Sequence, residues 1–133
     1  MLDQPAGRGT ILLVEDEPFV ALVAQQVLED HGFTVTVAAH GRAALEHSGN
    51  SAGQALLLAV VDMGLPDMSG GDVVRALRGL LPHLPVIVAT GYAAEEVEGE
   101  LAGLDKVVVI RKPYDVRTLR ATLRGFDIDM PED

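Results

Sequence analysis

Cysteine and tryptophan are absent from this chain of 133 residues, and aromatic residues make up only 4% of it. The lack of cysteine excludes disulfides, zinc–thiolate sites and cysteine nucleophiles, and it favours the cytoplasm over a secreted location. Basic residues are also scarce, since 10 Lys and Arg face 20 Asp and Glu and the net charge is -10. Because nucleic-acid backbones attract clustered basic side chains, this balance argues against DNA or RNA as a partner.

Long apolar runs are missing as well. No stretch is long enough to span a membrane, and residues 1–9 lack the apolar core of a signal peptide. The composition suits one globular domain, since 48% of the residues are hydrophobic and a chain of this length can bury a full core. We predict a loose N-terminal tail over 1–9, a folded domain over 10–126 and an acidic C-terminal tail over 127–133.

Short apolar runs alternate with stretches of helical periodicity along the whole chain. This alternation predicts an α/β fold with a parallel sheet and helices on both faces. Strands are predicted over 10–14, 33–37, 56–62, 86–89 and 106–110. Helices are predicted from Pro18 to a stop at 31–32, over 41–47, 71–80 and 93–101, and after an N-cap at Asp115. The strand over 33–37 alternates polar and apolar residues, which places it at a sheet edge.

Two further expectations concern single residue types. In the first helix, helical spacing predicts an apolar face made of Phe19, Val20, Val23, Val27 and Leu28. The four histidines share no metal-ligand spacing, so we expect solvated positions for His31, His40, His47 and His83.

Polar groups stand where four of the predicted strands end. Glu15, Asp16 and Glu17 follow the first strand, and Asp62, Thr90 and Lys112 stand at or after the third, fourth and fifth. Because the carboxyl ends of parallel strands meet at one edge of a sheet, these groups can converge. Clustered carboxylates suit a hard divalent cation such as Mg²⁺, and a Lys and a Thr hydroxyl suit phosphate oxygens. Asp62 is then a candidate nucleophile for a covalent aspartyl-phosphate.

Four segments carry a family resemblance. They are Ile11-Leu12-Leu13-Val14-Glu15-Asp16-Glu17, the stretch from Val60-Val61-Asp62 to Met68-Ser69-Gly70, Ala89-Thr90-Gly91-Tyr92 and Lys112-Pro113-Tyr114. In this order and at strand ends, they make the chain similar to a response-regulator receiver domain of two-component signalling. The resemblance covers about 10–126 and implies a flavodoxin-like fold with strand order 2-1-3-4-5.

The resemblance also implies a role for each site residue. Asp62 matches the phosphoacceptor, which takes a phosphoryl group from a histidine kinase or a histidine phosphotransfer protein. Glu15 and Asp16 match the acidic pair that binds Mg²⁺ together with Asp62, and the backbone carbonyl of Gly64 matches a further ligand.

Two more matched residues concern the switch. Thr90 matches the hydroxyl that turns toward the phosphoryl group, and Lys112 matches the lysine that pairs with it. The bond from Lys112 to Pro113 is expected to be cis. Output is then expected through the face of the fourth helix, fifth strand and fifth helix.

One position departs from the family pattern. Val109 stands where an aromatic switch residue is common, so signal output must differ from the usual aromatic relay. Tyr92 and Tyr114 are possible substitutes, although a ring that covers the lysine loop is the simpler interpretation of Tyr114. We also hypothesise that Tyr92 screens the aspartyl-phosphate from water.

Several functions compete at this stage. The leading one is a phosphorylation-dependent signalling domain that binds partners and is not an enzyme. A variant is the receiver part of a hybrid histidine kinase. An Mg²⁺-dependent aspartyl-phosphate phosphatase would need a second Asp two residues after the nucleophile, where Gly64 stands. A flavin-binding protein would need a phosphate-binding loop where Glu15, Asp16 and Glu17 would repel the phosphate.

Overall fold

The computed structural model describes residues 9–49, 56–91 and 94–130 of the chain. Its strands are β1 (Thr10–Val14), β2 (Thr34–Ala38), β3 (Leu56–Asp62), β4 (Val86–Thr90) and β5 (Val107–Arg111). Its helices are α1 (Pro18–Asp30), α2 (Gly41–Ser48), α3 (Gly70–Leu80), α4 (Ala94–Glu100) and α5 (Val116–Gly125). The predicted N-terminal tail and Tyr92 lie outside the described residues, apart from Gly9.

All neighbouring strands pair in parallel, in the order β2-β1-β3-β4-β5. This confirms the predicted fold and the edge position of the second strand. Side chains alternate along the central strands, so Ile11 and Leu13 face one core layer while Leu12 and Val14 face the other. The first layer packs under α1 and α5, and the second packs under α2, α3 and α4.

Local sequence signals explain where several helices begin. Pro18 occupies the first turn of α1, where its missing N–H costs no hydrogen bond. The carboxylate of Asp115 accepts a hydrogen bond from the N–H of Thr118 at 2.8 Å, which confirms it as the N-cap of α5. The hydroxyl of Ser69 does the same for α3 by accepting from the N–H of Asp72 at 3.1 Å.

The fifth strand begins one residue later than predicted. Lys106 has a φ of 56°, a left-handed backbone conformation that cannot continue into an extended strand. The strand therefore starts at Val107 and runs to Arg111. The second strand is likewise shifted by one residue and covers Thr34–Ala38.

The apolar face of α1 differs from the prediction. Its buried residues are Ala21, Ala24 and Leu28, whereas Phe19 is 76% exposed and Val23 is 48% exposed. Small side chains let the helix pack closely on the sheet, and the larger apolar side chains are left outside. The predicted stripe is confirmed for Leu28, and Val27 packs against the same core layer. It is wrong for Phe19 and Val23 because this helix is apolar on more than one side.

His31 is buried, contrary to the expected solvated position. It follows the last turn of α1, and its Nδ1 lies 2.8 Å from the carbonyl oxygen of Val27. The ring thus binds a carbonyl group that the end of the helix leaves without an intrahelical partner.

Residues after α5 continue to pack on the domain. The chain turns at Asp127, whose φ is 61°, and Ile128 and Met130 then enter the α1–α5 core layer. The guanidinium of Arg120 donates a hydrogen bond to the carbonyl oxygen of Met130 at 2.9 Å. The packed part of the chain therefore extends to Met130, beyond the predicted end at 126.

Candidate functional site

Four strand ends form the site at the carboxyl edge of the sheet. Asp62 is the last residue of β3 and Thr90 the last of β4, while Glu15 and Lys112 directly follow β1 and β5. The exposed fractions of Glu15 and Asp62 are 4% and 6%, and Thr90 is fully buried. Carboxylates this far from water require a positive partner, because burial penalises an unpaired charge.

Lys112 supplies that positive charge. Its Nζ lies 3.0 Å from Oδ1 of Asp62 and 3.3 Å from Oε1 of Glu15. Burial alone would lower the pKa of Lys112, but its hydrogen bond to Asp62 and the two negative charges outweigh burial and raise the pKa. Lys112 is therefore a charged ammonium held between two carboxylates.

Glu15 is the second carboxylate that Lys112 contacts, and its pKa departs from the ordinary value of a glutamate. Burial raises the pKa of Glu15, and the charge of Asp62 adds to this effect. The backbone N–H of Glu17, which donates to Oε2 of Glu15 at 3.3 Å, and the ammonium of Lys112 oppose the rise without cancelling it. A further cation at the site would lower the pKa again.

The acidic cluster has the donors that such a cation needs. Glu15, Asp16 and Asp62 each offer a carboxylate oxygen, and these oxygens lie within 4.8 Å of one another. An all-oxygen set of this kind suits a hard divalent cation such as Mg²⁺. Gly64 stands beside it, since a Cβ added at Gly64 would lie 3.6 Å from Oδ2 of Asp62.

Backbone hydrogen bonds hold the strand ends together. The N–H of Lys112 donates to the carbonyl oxygen of Thr90 at 2.8 Å, and the N–H of Met63 donates to that of Ala89 at 3.1 Å. Thr90 is also paired in register with Arg111. Thr90 is thus fixed next to the start of the loop that carries Lys112, whose bond to Pro113 is cis as expected.

Val109, where the aromatic switch residue is missing, and Tyr114, which was predicted as a substitute, pack on opposite faces of the sheet. Val109 packs against the layer under α2, α3 and α4, whereas Tyr114 packs against the layer under α1 and α5. Burial raises the pKa of Tyr114 to about 12, with the charges of Glu15 and Asp62 adding to the rise and Lys112 opposing it. Tyr114 is therefore close to the acidic cluster but does not occupy the space of an aromatic residue at 109.

Two further features, a carboxylate that anchors a loop and an apolar groove, lie next to the site. Asp67 lies in the loop after Asp62, and its carboxylate accepts hydrogen bonds from the N–H groups of Gly41 at 2.8 Å and Arg42 at 3.0 Å. This ties the loop after β3 to the start of α2.

The other feature is an apolar groove beside Lys112, which was not predicted. We call it the α1–α5 groove; its volume is about 420 Å³, and its lining includes Phe19, Val20, Val23, Lys112, Tyr114 and Val116. A first helix with apolar residues on more than one side was the available signal for it.

The order of the strands defines a doubly wound α/β fold, with the acidic cluster and the lysine at the carboxyl edge of its sheet. The family model of the response regulator receiver domain matches residues 11–124, and the chain belongs to this family. Among curated relatives, it is 37% identical over 88% of its length to the probable transcriptional regulatory protein TcrX of Mycobacterium tuberculosis. It is also 33% identical over 90% of its length to the sensor kinase CckA of Brucella abortus.

Solved structures agree with these relatives. The chemotaxis protein CheY4 of Vibrio cholerae aligns with a TM-score of 0.78 and 25% identity, over 88% of this chain and 97% of that one. A CheY-like receiver domain protein of Methanospirillum hungatei aligns with a TM-score of 0.77 and 31% identity, over 89% and 92% of the two chains.

The chain corresponds to only a part of many curated relatives. It spans 49% of TcrX and 12% of CckA. Receiver domains therefore occur both in transcriptional regulators and in sensor kinases among its relatives. Within the parts of the chain that the structure covers, no helix combines the length and the apolar character needed to cross a membrane.

Proposed function

We propose that Asp62 accepts a phosphoryl group from a phosphohistidine of a sensor histidine kinase or a histidine phosphotransfer protein. The observation that carries this proposal is the 3.0 Å contact between Nζ of Lys112 and Oδ1 of Asp62, at the mouth of the acidic cluster. A lysine held there neutralises charge on Asp62 and remains next to any group that bonds to it.

The transfer is a substitution at phosphorus. A carboxylate oxygen of Asp62 forms the new P–O bond while the P–N bond of the donor breaks, and the imidazole nitrogen leaves with the electron pair of that bond. Lys112 pairs with the oxygens of the transferred group, and the Thr90 hydroxyl binds one of them. Bound by Glu15, Asp16, Asp62 and the carbonyl of Gly64, Mg²⁺ would neutralise charge on the phosphoryl oxygens.

The domain is then a phosphoacceptor switch and not an enzyme that acts on outside substrates. Gly64 supports this reading over a phosphatase, because it offers no second carboxylate as a general acid. Phosphorylation would put a charge of about -1.5 to -2 at Asp62. Thr90, which ends β4 and accepts the backbone hydrogen bond of Lys112, would pass that change to the face of α4, β5 and α5, where a downstream protein binds.

The family resemblance to both regulators and sensor kinases leaves two contexts for this switch. It acts as a response regulator that transmits to a partner, or as the receiver part of a hybrid kinase that passes the group on. A cytoplasmic location belongs to the proposal in either context, and the lack of cysteine supports it.

Intact mass measurement tests the chemistry directly. The protein is incubated with Mg²⁺ and acetyl phosphate, beside Asp62→Asn and the control Asp72→Asn, whose carboxylate is exposed at the start of α3. We expect one phosphoryl adduct in the wild type and in the control, and none in Asp62→Asn or with a chelator. An adduct that persists in Asp62→Asn would refute Asp62 as the acceptor.

The α1–α5 groove is the surface that we assign to the phosphodonor. It is continuous with the site, because Lys112 both lines the groove and contacts Asp62. Two of its lining residues on α1, Phe19 and Val23, are 76% and 48% exposed, and they stand one helical turn apart, as the apolar contacts of a partner helix require. A helix that carries a phosphohistidine would thus be placed with its phosphoryl group near Asp62.

Two phosphodonors, a protein that must dock and a small molecule that need not, distinguish an effect on docking from an effect on the phosphoryl transfer itself. Phe19→Asp should slow transfer from a purified phosphohistidine-carrying phosphotransfer domain by about tenfold or more, since a central apolar anchor is lost. Its labelling by acetyl phosphate, which needs no docking helix, should be unchanged. Val108→Asp is the matched control, because Val108 is an exposed apolar residue on β5, away from the groove. Equal slowing by both variants would contradict the assignment.

A further inference from the structure

The α1–α5 groove and the phosphorylation site share one short segment of backbone. Lys112 contacts Asp62 and Glu15, and Tyr114, two residues later, lines the groove beside Val20, Val23 and Val116. The ring of Tyr114 packs on the core layer that also holds Ala24 and Leu119. The loop that brings Lys112 to Asp62 therefore also supplies part of the groove wall, the ring of Tyr114.

We propose that Tyr114 couples phosphorylation of Asp62 to the shape of the α1–α5 groove, so that the donor helix binds more tightly before transfer than after it. This inference rests on the proposed function and adds to it a means of releasing the donor. Tyr114 is a positioning residue in this scheme, since it touches the groove and the segment of Lys112, and takes no part in the bond exchange.

The physical basis is a change of partner for Lys112. Before transfer, its ammonium is shared between Oδ1 of Asp62 at 3.0 Å and Oε1 of Glu15 at 3.3 Å. After transfer, the phosphoryl oxygens carry more negative charge than the carboxylate did and lie further from the end of β3. The ammonium follows that charge, and the peptide that joins it to Tyr114 moves with it.

The placement of Val109 supports a path through Tyr114. Val109 packs on the opposite face of the sheet, in the layer under α2, α3 and α4, and its short side chain cannot fill space vacated near Thr90 as a large ring would. Tyr114 stands two residues after Lys112, lines the groove with it and packs on the layer under α1 and α5. The response of this domain should therefore be large on the α1–α5 side, which the donor occupies.

The donor helix is the occupant that the contacts favour. The groove opens beside Lys112, so its occupant reaches the reacting atoms, and its apolar rim on α1 has helical spacing. A second copy of this chain offers no phosphohistidine to that position, and it is kept as an outcome of the test.

Because the chain has two tyrosines, one substitution leaves Tyr114 as the only source of a tyrosine signal. In a Tyr92→Phe background labelled with 3-fluorotyrosine, the single ¹⁹F resonance belongs to Tyr114. We expect it to shift when Mg²⁺ and acetyl phosphate are added, and to stay fixed in the matched Asp62→Asn variant. Intact mass of the same sample reports the phosphoryl adduct independently.

Binding of the apolar dye 1-anilinonaphthalene-8-sulfonate then probes the groove. We expect about fivefold or more weaker binding to the phosphorylated protein, in the range usual for coupled sites. Tyr114→Leu, which keeps an apolar wall, should remove this difference, and intact mass measures the phosphoryl adduct of the variant in the same sample. Val23→Asp should abolish dye binding in both states, which assigns the signal to the groove.

The outcomes separate the two proposals. No adduct in the wild type overturns the proposed function and this inference with it. An adduct with an unmoved Tyr114 resonance, or with an unchanged dye difference in Tyr114→Leu, overturns the inference alone. Dye binding that weakens as protein concentration rises would place a second copy in the groove and overturn the donor as its occupant.

Discussion

The ammonium of Lys112 lies 3.3 Å from Oε1 of Glu15, a carboxylate of the acidic cluster that could bind a cation. Lys112 and a divalent cation would therefore compete for the same negative charges. The two residues are 97 positions apart in the chain, and only the parallel sheet brings them together.

Lys112→Met should bind Mg²⁺ more tightly than the wild type, by at least about tenfold. The reason is that a unit charge about 4 Å from a carboxylate near a protein surface is worth several kcal/mol before screening. Phosphorylation by acetyl phosphate should nevertheless slow, on the order of a hundredfold, because the group that pairs with the transferred phosphoryl oxygens is lost. Isothermal titration and timed mass spectra measure the two effects.

The matched control for this substitution is Lys106→Met, which removes an exposed lysine at the opposite end of β5. It should alter neither Mg²⁺ affinity nor the rate of phosphorylation appreciably. Weaker Mg²⁺ binding in Lys112→Met would mean that the lysine orders the cluster and does not compete with the cation.

Ionisation of the Tyr114 phenol should lower the free energy of unfolding as the pH becomes alkaline. Its pKa is raised from 10.0 to about 12, so the folded state holds the phenolic proton more tightly than the unfolded state does. The corresponding stability, on the order of 2 kcal/mol, is fully present below pH 10 and is lost as pH rises to 12. Urea unfolding of the wild type and Tyr114→Phe at pH 9 and 11.5 measures this.

The expected result is a difference between the two proteins that changes with pH, with the wild type losing more stability on going to pH 11.5. Tyr92→Phe serves as the control for the loss of a phenol elsewhere in the chain. The same pH slope in the wild type and Tyr114→Phe would show that the phenol is not held in its neutral form.

The fold and the main site residues were predictable because each depends on a local pattern. Apolar runs that end in Asp62 or Thr90 specify buried strands, and parallel pairing then puts their ends at one edge. Glu15 and Lys112 follow from the same rule. Their convergence, with contacts of 3.0 and 3.3 Å at Lys112, depends also on the order of the strands, which the family resemblance implied.

Other features depend on contacts that no local pattern encodes. Sequence periodicity cannot tell which side of α1 faces the sheet when Ala21 and Ala24 compete with Phe19 and Val23, since close packing on the sheet decides it. The burial of Met130 likewise depends on the space left between helices. The left-handed conformation of Lys106 is unusual for a lysine, and its effect on the start of β5 was therefore missed.

Asp67 should strengthen Mg²⁺ binding although it is not one of the proposed ligands. Its carboxylate is anchored by the N–H groups of Arg42 and Gly41, whose hydrogen bonds lower the pKa of Asp67. Because this anchor fixes the loop that carries Gly64, Asp67→Ala should weaken Mg²⁺ binding on the order of tenfold, as outer residues of metal sites commonly do. Titration of Mg²⁺ followed by ¹H–¹⁵N NMR of Gly64 measures the change.

Asp67→Asn keeps one acceptor oxygen and should fall between the wild type and Asp67→Ala in affinity. Asp72→Ala removes an exposed carboxylate at the start of α3 and is the control for a change in net charge. If all three variants bound Mg²⁺ equally well, the loop would hold its shape without this anchor.

Met130 should contribute strongly to stability, although it stands only a few residues from the end of the sequence. Its side chain is 1% exposed and lies in the layer under α1 and α5, while its carbonyl oxygen accepts a hydrogen bond from Arg120. Met130→Ala should lower the free energy of unfolding by about 2–5 kcal/mol, the usual cost of emptying a buried position. Leu80→Ala, which shortens a 46% exposed side chain on α3, should cost much less. Urea unfolding of both variants gives the comparison, and equal losses would show that the segment after α5 is not part of the core in solution.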